Sequence, residues 1–305
     1  MNKPNFIIAG FAKCGTTALH YYLDSHPEIY MPKKKELHYF TQPNISKNNR
    51  GPGDLEANNS LVKDYQTYLS LFKGVKAQKL IGETSPSYIN YPDCFVQIKK
   101  NLGDPKFIIL IRDPIKRSYS NYLHLVREQR EFQPFDKALD LEPSRKEQMF
   151  SDFWFYKSNS FYYDKILEAK KAFTNVLVIT QEELNIETKV TLKKVFEFLN
   201  IDSNFIPKNL NNKYNKGGLY KKNIITNFVF KQGKIKTIFK RVVNISPWMK
   251  DLKNKVIGRY NYKPKPLEPK LEKKLVEEFK KEVTKLTSFG IDTSRWNNKF
   301  LEEKE

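Results

Sequence analysis

Three short stretches of this sequence carry side chains suited to handling a multiply charged anion. The first is Gly10-Phe11-Ala12-Lys13-Cys14-Gly15-Thr16-Thr17. Phe6 to Ala9 before it reads as a short buried strand, and Thr16 to Ser25 reads as a helix. A strand, a tight loop and a helix start form an anion cradle. The free N–H groups of the loop and first turn converge there, and the helix dipole favours negative charge. Lys13 adds a full positive charge, and Thr16 and Thr17 add hydroxyl donors. The second stretch is Arg112-Asp113-Pro114-Ile115-Lys116-Arg117-Ser118-Tyr119-Ser120, at the end of an apolar strand. Asp113 suits a helix N-cap and Pro114 the first turn. Arg112 and Ser120, about two turns into the helix, can reach one phosphate, and the planar Arg fork matches phosphate oxygens. Arg117 reads either as a ligand or as an ion-pair partner on the helix face. The third stretch is Lys33-Lys34-Lys35-Glu36-Leu37-His38-Tyr39-Phe40. Its lysines can hold an anionic acceptor and Glu36 can take a proton from it. The alternative is a solvated charge run capping a helix that ends in core aromatics. Nearby cations would lower the Glu36 pKa and burial would raise it; the sequence does not decide which wins.

The loop at Lys13 is P-loop-like but is not a Walker A loop. That pattern places Lys directly after the second Gly and follows it with Ser or Thr. Here Thr16 follows Gly15, and Lys13 stands two positions before that glycine. No Cys/His cluster has metal-ligand spacing and no carboxylate set for magnesium is evident, so no metal is expected. The cysteines are Cys14 and Cys94. Cys14 sits inside the loop, so a disulfide framework is not expected and a reducing compartment fits. A small residue filling the loop is favoured over a reactive thiol.

At these residues the sequence resembles the sulfotransferases that use 3′-phosphoadenosine 5′-phosphosulfate (PAPS). Gly10 to Thr17 resembles their 5′-phosphosulfate loop. Arg112 to Ser120 resembles their 3′-phosphate motif, Arg-Asp-Pro-x-x-Arg-x-x-Ser, complete at its fixed positions. Lys35 to Phe40 resembles the Lys-Glu-x-His-(Tyr/Phe)-Phe of carbohydrate sulfotransferases. The resemblance extends over nearly the whole chain. It implies that Lys13, Cys14, Gly15, Thr16 and Thr17 hold the 5′-phosphosulfate, and that Arg112 and Ser120 hold the 3′-phosphate. It implies Glu36 as general base on the acceptor hydroxyl, Lys13 as stabiliser of the leaving phosphate, and His38 in a supporting or acceptor-contacting role. Lys35 and Ser85 fall on the acceptor side. Glu83 to Tyr88 resembles the family's Glu-Lys-(Ser/Thr)-Pro-x-Tyr, with Thr84 in place of the Lys; the acceptor contact of that Lys does not carry over. A Tyr from the helix after Ser160 lies near acceptor or cofactor in related enzymes, which points to Tyr162. A basic loop closes over PAPS in the family, which points to Lys216 and Gly217.

Strands alternating with helices imply a parallel α/β sheet with its site at the carboxyl ends of the strands. Leu80 to Tyr88 is expected to start as a strand and end in a turn, and further strands are expected at 104–111 and 175–180. Thr41 to Ser60, rich in Asn, Gly and Pro, reads as a surface loop. Leu61 to Phe72 has helical spacing. Ser160 reads as the N-cap of a helix running to about Phe173. Asn200 stands where the family's Phe-Leu-Gly helix end has Gly. Lys270 to Leu286 is amphipathic, with apolar residues at three- and four-residue steps. Leu286 to Trp296 resembles a structural C-terminal signature of bacterial sulfotransferases. Residues 1–207 are expected to form the sulfotransferase core, and 208–305 a basic loop and helical extension of the same domain.

The chain has 305 residues, 39% of them hydrophobic, and a net charge of +20. That is enough for a sizeable core and excludes a disordered chain. The charge favours an anionic substrate, an anionic polymer or an anionic membrane surface. Lys208 to Pro266 holds 16 Lys or Arg against the single acid Asp251, a net of +15. Within it, residues 223–260 alternate apolar groups with cations, the pattern of a basic amphipathic surface. Three readings stand: a helical lid, an anionic-acceptor surface, or a peripheral membrane contact. No signal peptide and no apolar run of about 20 residues is present, so no span is expected. A cytoplasmic location follows, with membrane association on the cytoplasmic face left open.

These features converge on sulfuryl transfer from PAPS to an acceptor hydroxyl, with a carbohydrate favoured and no specific nucleic acid. A P-loop-type kinase would need Lys after Gly15 and a magnesium carboxylate. A non-catalytic binder of anionic polymer or membrane would bind salt-sensitively without needing Lys13.

Overall fold

The computed structural model describes residues 2–210, 212, 219–220, 261–262, 264–296 and 300. Lys216, Gly217 and the 223–260 surface lie outside the described residues. The centre is a five-stranded parallel sheet of β1 (Phe6–Gly10), β2 (Ile29–Tyr30), β3 (Leu80–Thr84), β4 (Lys106–Ile111) and β5 (Val176–Thr180), in the order β2-β3-β1-β4-β5. β1 is buried along its whole length and β4 from Phe107 onward. Helices cover both faces of such a sheet, so its middle strands are unbroken apolar runs. β1 pairs with β3 on one side and β4 on the other, in the register Phe6 with Gly82 and Phe6 with Lys106. The strand order reverses at β1, and a crevice opens there at the carboxyl ends.

Helices α1 (Thr16–Asp24), α2 (Gln42–Lys47), α3 (Asp54–Asn58), α4 (Tyr65–Ser70), α5 (Cys94–Leu102), α6 (Pro114–Arg127), α7 (Phe135–Asp140), α8 (Glu142–Glu147), α9 (Tyr163–Ala172), α10 (Gln181–Ile186), α11 (Thr188–Leu199) and α12 (Pro269–Ser288) surround the sheet. Asp113 caps α6 by accepting from the backbone N–H of Ile115 and Lys116, and Pro114 follows it. The amphipathic reading of the C-terminal part holds: Leu275, Phe279, Val283 and Leu286 of α12 are buried. Trp296 is buried too, and its indole N–H donates to Glu182. Asn200 ends α11 in the left-handed conformation, φ 63°, which Asn tolerates where relatives use Gly. Leu219–Tyr220 (β6) pairs antiparallel with Asn261–Tyr262 (β7).

Three expectations need correction. Thr41 to Ser60 is not simply a surface loop. It contains α2 and α3, and Asp54 at the start of α3 is only 1% exposed. The Asp54 carboxylate accepts from Gly51 N at 3.0 Å, Ser151 N at 2.8 Å, Ser151 Oγ at 2.7 Å and Trp154 Nε1 at 3.0 Å, and it pairs with buried Arg130. Polar composition here reflects a buried hydrogen-bond hub. Ser160 is not the N-cap of α9. Glu282 of α12 accepts from the backbone N–H of Tyr162 and Tyr163 and satisfies that helix start from another element. The helix expected over 61–72 is confined to Tyr65–Ser70, where Asp64 caps it by accepting from Thr67 N.

Replacing Asp54 by Ala would leave the Arg130 guanidinium buried without its partner, along with orphaned donors at Gly51, Ser151 and Trp154. We expect a loss of about 3–5 kcal/mol, read as a lower urea midpoint at unchanged m-value. A loss below about 1 kcal/mol, the range of surface pairs, would show that the segment is not a structural hub.

Candidate active site

The cradle takes shape at the exit of β1. Gly10 has φ 115°, Gly15 φ 94° and Lys13 φ 75°. Gly15 begins α1 without any side-chain cap, so the first helical turn presents its N–H groups to the loop. Thr16 is buried and Thr17 half-buried at this turn. The Thr17 hydroxyl accepts from the Lys35 ammonium at 2.8 Å, which brings the third stretch to the first. Cys14 is fully buried, and burial pushes its thiol up to about 12 against the pull of Arg117 and Arg112. It is protonated at neutral pH and fills space, as its position in the loop suggested.

Arg112 emerges from the adjacent strand β4. Its Nη1 donates to the Lys13 carbonyl at 3.3 Å, and its own carbonyl accepts from the Tyr162 hydroxyl at 2.8 Å. Its Nε is buried without a partner among the described residues. Lys13, Arg112 and Ser120 line one cavity of about 310 Å³, together with Lys116, Tyr119, Leu123, His124, Arg127 and Pro264. Among the described residues its wall carries Lys13, Arg112, Lys116 and Arg127 as cations and no carboxylate. Lys116, His124 and Arg127 were not singled out from the sequence. Their signal was available: they recur with Ser120 and Leu123 at three- and four-residue steps along α6, which places them on one face.

The electrostatics follow from this crowding. The Lys13 pKa falls to about 8, first through burial, then through Arg127 and Arg112, with Glu36 and Glu128 partly opposing. His124 stands between Arg127, whose Nη2 lies 2.6 Å from its Nδ1, and Glu128, whose Oε1 lies 3.2 Å from its Nε2. Burial lowers the His124 pKa, so a neutral ring accepts from Arg127 and donates to Glu128.

On the acceptor side, Glu36 is exposed and lies within electrostatic reach of Lys13 and Lys35. Glu36 and His38 both hold left-handed backbone, φ 55° and φ 52°, an uncommon conformation for these residue types. The turn after β3 maintains it. Glu36 N donates to the Thr84 carbonyl at 2.8 Å and His38 N to Ser85 Oγ at 3.0 Å. Ser85 Oγ in turn donates to Glu83 Oε1 at 2.6 Å. The fully buried Glu83 carboxylate also accepts from the Tyr88 and Tyr68 hydroxyls. His38 Nδ1 lies 2.6 Å from Ser87 Oγ, and burial lowers its pKa to about 4, so the ring is neutral at pH 7.

Two residues expected at the acceptor are placed elsewhere. Ser85 is fully buried and holds the Glu36–His38 turn from behind. Tyr162 is fully buried against Phe11 and holds the Arg112 backbone. Thr84, where relatives carry Lys, is buried and pairs with His20 Nδ1 at 2.9 Å. The structure does bring Lys13, Thr16, Thr17, Lys35, Arg112 and Ser120 to one edge of the sheet.

A family profile described as "Sulfotransferase family" matches residues 4–205. The chain belongs to the sulfotransferase family. Its fold is similar to that of a sulfotransferase from Alicyclobacillus acidocaldarius, with a TM-score of 0.75 and 28% identity over 97% of this chain and 99% of that one. It is 39% identical to the membrane-associated sulfotransferase kil1 of Dictyostelium discoideum over 119 residues, 39% of this chain and 22% of that protein. It is 25% identical to human carbohydrate sulfotransferase 15 over 252 residues, 65% of this chain and 44% of that protein. The chain thus spans less than half the length of these two relatives. Among the described residues of this sulfotransferase, no group of three or more His, Cys, Asp or Glu is placed to hold a metal ion. No described helix is long and apolar enough to cross a membrane.

The depressed Lys13 pKa yields a pH dependence. The ammonium is present below about pH 8 and is lost above it. Affinity for adenosine 3′,5′-bisphosphate should be flat from pH 7 to about 8 and then fall, at most tenfold per pH unit for one proton. Calorimetric titrations across this range on wild type and Lys13→Met check it; an unchanged inflection in the variant would assign the proton to another group.

Proposed function

We propose that this sulfotransferase moves the sulfuryl group of PAPS onto an acceptor hydroxyl, with a carbohydrate as the favoured acceptor and Glu36 as general base. One observation carries the reading: Lys13 and Arg112 leave neighbouring strands and line the same cationic cavity, joined by a hydrogen bond. A nucleotide with phosphate at both ends fits such a wall. The Arg112 fork, with its free Nε, and the Ser120 hydroxyl take the 3′-phosphate, which Lys116 and Arg127 further neutralise. Lys13, Thr16, Thr17 and the N–H groups of the helix start take the 5′-phosphosulfate.

In the transfer the acceptor oxygen forms a bond to sulfur while the bond from sulfur to the 5′-phosphate oxygen breaks in line. The acceptor proton goes to the Glu36 carboxylate, and the electron pair of the broken bond stays on the phosphate. Lys13 faces that growing charge, so its contribution is larger in the transition state than in the ground state. Lys35 joins the cradle through Thr17, and neutral His38 buttresses the turn that presents Glu36. The pairing of Glu36 with His38 supports a saccharide hydroxyl, as does the similarity to a protein named as a carbohydrate sulfotransferase. Peripheral membrane contact through 223–260 is a further proposal, supported by that segment's amphipathic pattern and by the relative named membrane-associated.

Transfer of labelled sulfate from PAPS to a panel of glycans and lipid alcohols tests the acceptor class. Glu36→Gln should lower kcat by about 10²–10⁴-fold while leaving affinity for the bisphosphate product unchanged. Full activity in that variant would remove Glu36 from the base role. Arg112→Ala should abolish the thermal shift given by the bisphosphate; an undiminished shift would put the 3′-phosphate elsewhere.

A further inference from the structure

Arg117 follows the Arg112 segment into α6, yet it is fully buried and lines no part of the cavity. Its Nε donates to Ser160 Oγ at 2.7 Å. Its Nη1 donates to Asn121 Oδ1 at 3.1 Å and to the Ala12 carbonyl at 3.4 Å. Its Nη2 donates to the carbonyls of Tyr156 at 2.6 Å and Phe155 at 3.5 Å. Every one of these acceptors is neutral. Among the described residues no carboxylate forms an ion pair with it. The Asp113 carboxylate caps α6 and faces Lys116; buried Asp152 lies within the electrostatic reach of both Arg117 and Lys165, and its Oδ2 is bonded to Asn90. Neither the ion-pair role nor the direct-ligand role read from the sequence matches this placement.

A guanidinium does not shed its proton on burial, unlike a lysine. Nearby Lys165 has its pKa lowered to about 8 by burial and then by Arg117. Removing a permanent charge from water without a counter-ion in contact is strongly unfavourable, and the buried carboxyl within reach, Asp152, is shared with Lys165. The charge is aimed forward: Arg117 holds the carbonyl of Ala12, the residue before Lys13, and it is the largest influence lowering the buried Cys14 thiol. In this poorly screened interior the field of one cation reaches through the loop.

We propose that Arg117 is a fixed charge set behind the anion loop, whose counter-ion is the 5′-phosphate of the bound donor, held without direct contact. It acts as a positioning and electrostatic residue, and the inference rests on the donor reading above. The charge, rather than the hydrogen-bonding fork, should govern nucleotide affinity. Its effect should persist in salt, because mobile ions do not enter the site, whereas the effect of exposed Lys116 should be screened.

Affinity for adenosine 3′,5′-bisphosphate is measured by calorimetry at about pH 6.5, at low and high sodium chloride, for wild type, Arg117→Met, Arg117→Lys and Lys116→Met. Unliganded melting temperatures are recorded separately. The expected result is a loss of about tenfold or more in Arg117→Met at both salt levels. Arg117→Lys, which loses the fork but keeps the charge at pH 6.5, where even buried Lys165 with its pKa of about 8 is still an ammonium, should stay within about threefold. The loss in Lys116→Met should fade at high salt. Equal losses in the Lys and Met variants at Arg117, or losses below about threefold in both alongside lower melting temperatures, would make the residue purely structural and overturn the inference alone. Wild-type protein that ignores the bisphosphate would overturn both the inference and the donor reading.

Discussion

Gly10 pairs with Leu110 across the two central strands, and no side chain fits there: a Cβ on Gly10 would stand 2.6 Å from the backbone N and O of Leu110. The next residue continues the contact, with Phe11 N donating to the Leu110 carbonyl. This close approach fixes how the chain leaves β1 relative to how it leaves β4. Lys13 and Arg112 are the first cations after those exits, so the sheet register sets where the short loop carrying Lys13 starts relative to Arg112. A one-residue slip of either strand would turn its side chains to the opposite face and separate the two charges. A glycine between apolar residues therefore determines the spacing of a charged site.

The acceptor side rests on a different device. Glu36 and His38 occupy left-handed backbone, which is uncommon outside glycine, and the hydrogen bonds they donate to Thr84 and Ser85 at the end of β3 hold them there. The buried Glu83 carboxylate anchors that end through Ser85, with Tyr68 and Tyr88 closing the remaining acceptor positions. Burial raises the Glu83 pKa while these hydroxyl bonds oppose the rise. The turn that carries Glu36 and His38 thus depends on a carboxylate that is itself fully buried.

The cradle, the Arg112 segment and the sheet were legible because they rest on local signals: unbroken apolar runs, bounding glycines, and Asp-Pro at a helix start. What the sequence concealed depends on distant partners. Asp54 reads as a loop residue because Ser151 and Trp154 lie about a hundred positions away and only the fold unites them. Ser160 looks like a cap until Glu282 reaches α9 from the far end of the chain. Ser85 and Tyr162 have types common at substrate sites, and only their buried hydrogen bonds show that Ser85 serves Glu83 and the His38 N–H, and Tyr162 the Arg112 carbonyl. Arg117 sits in a motif between Arg112 and Ser120, both on the cavity wall, and its five neutral acceptors come from residues up to 105 positions away.

The two-residue ladder between β6 and β7 pairs Leu219 with Tyr262 and Tyr220 with Asn261, so positions 220 and 261 are neighbours although distant in the chain. Just beyond it, Pro264 joins the cavity wall and the Lys265 carbonyl accepts from Tyr119 of α6. Because closure entropy grows slowly with length, a connection whose two ends are already paired can lengthen or shorten at small entropic cost to the rest of the chain. The length of that connection can therefore vary while the register of β1 and β4, which sets Lys13 beside Arg112, stays as it is.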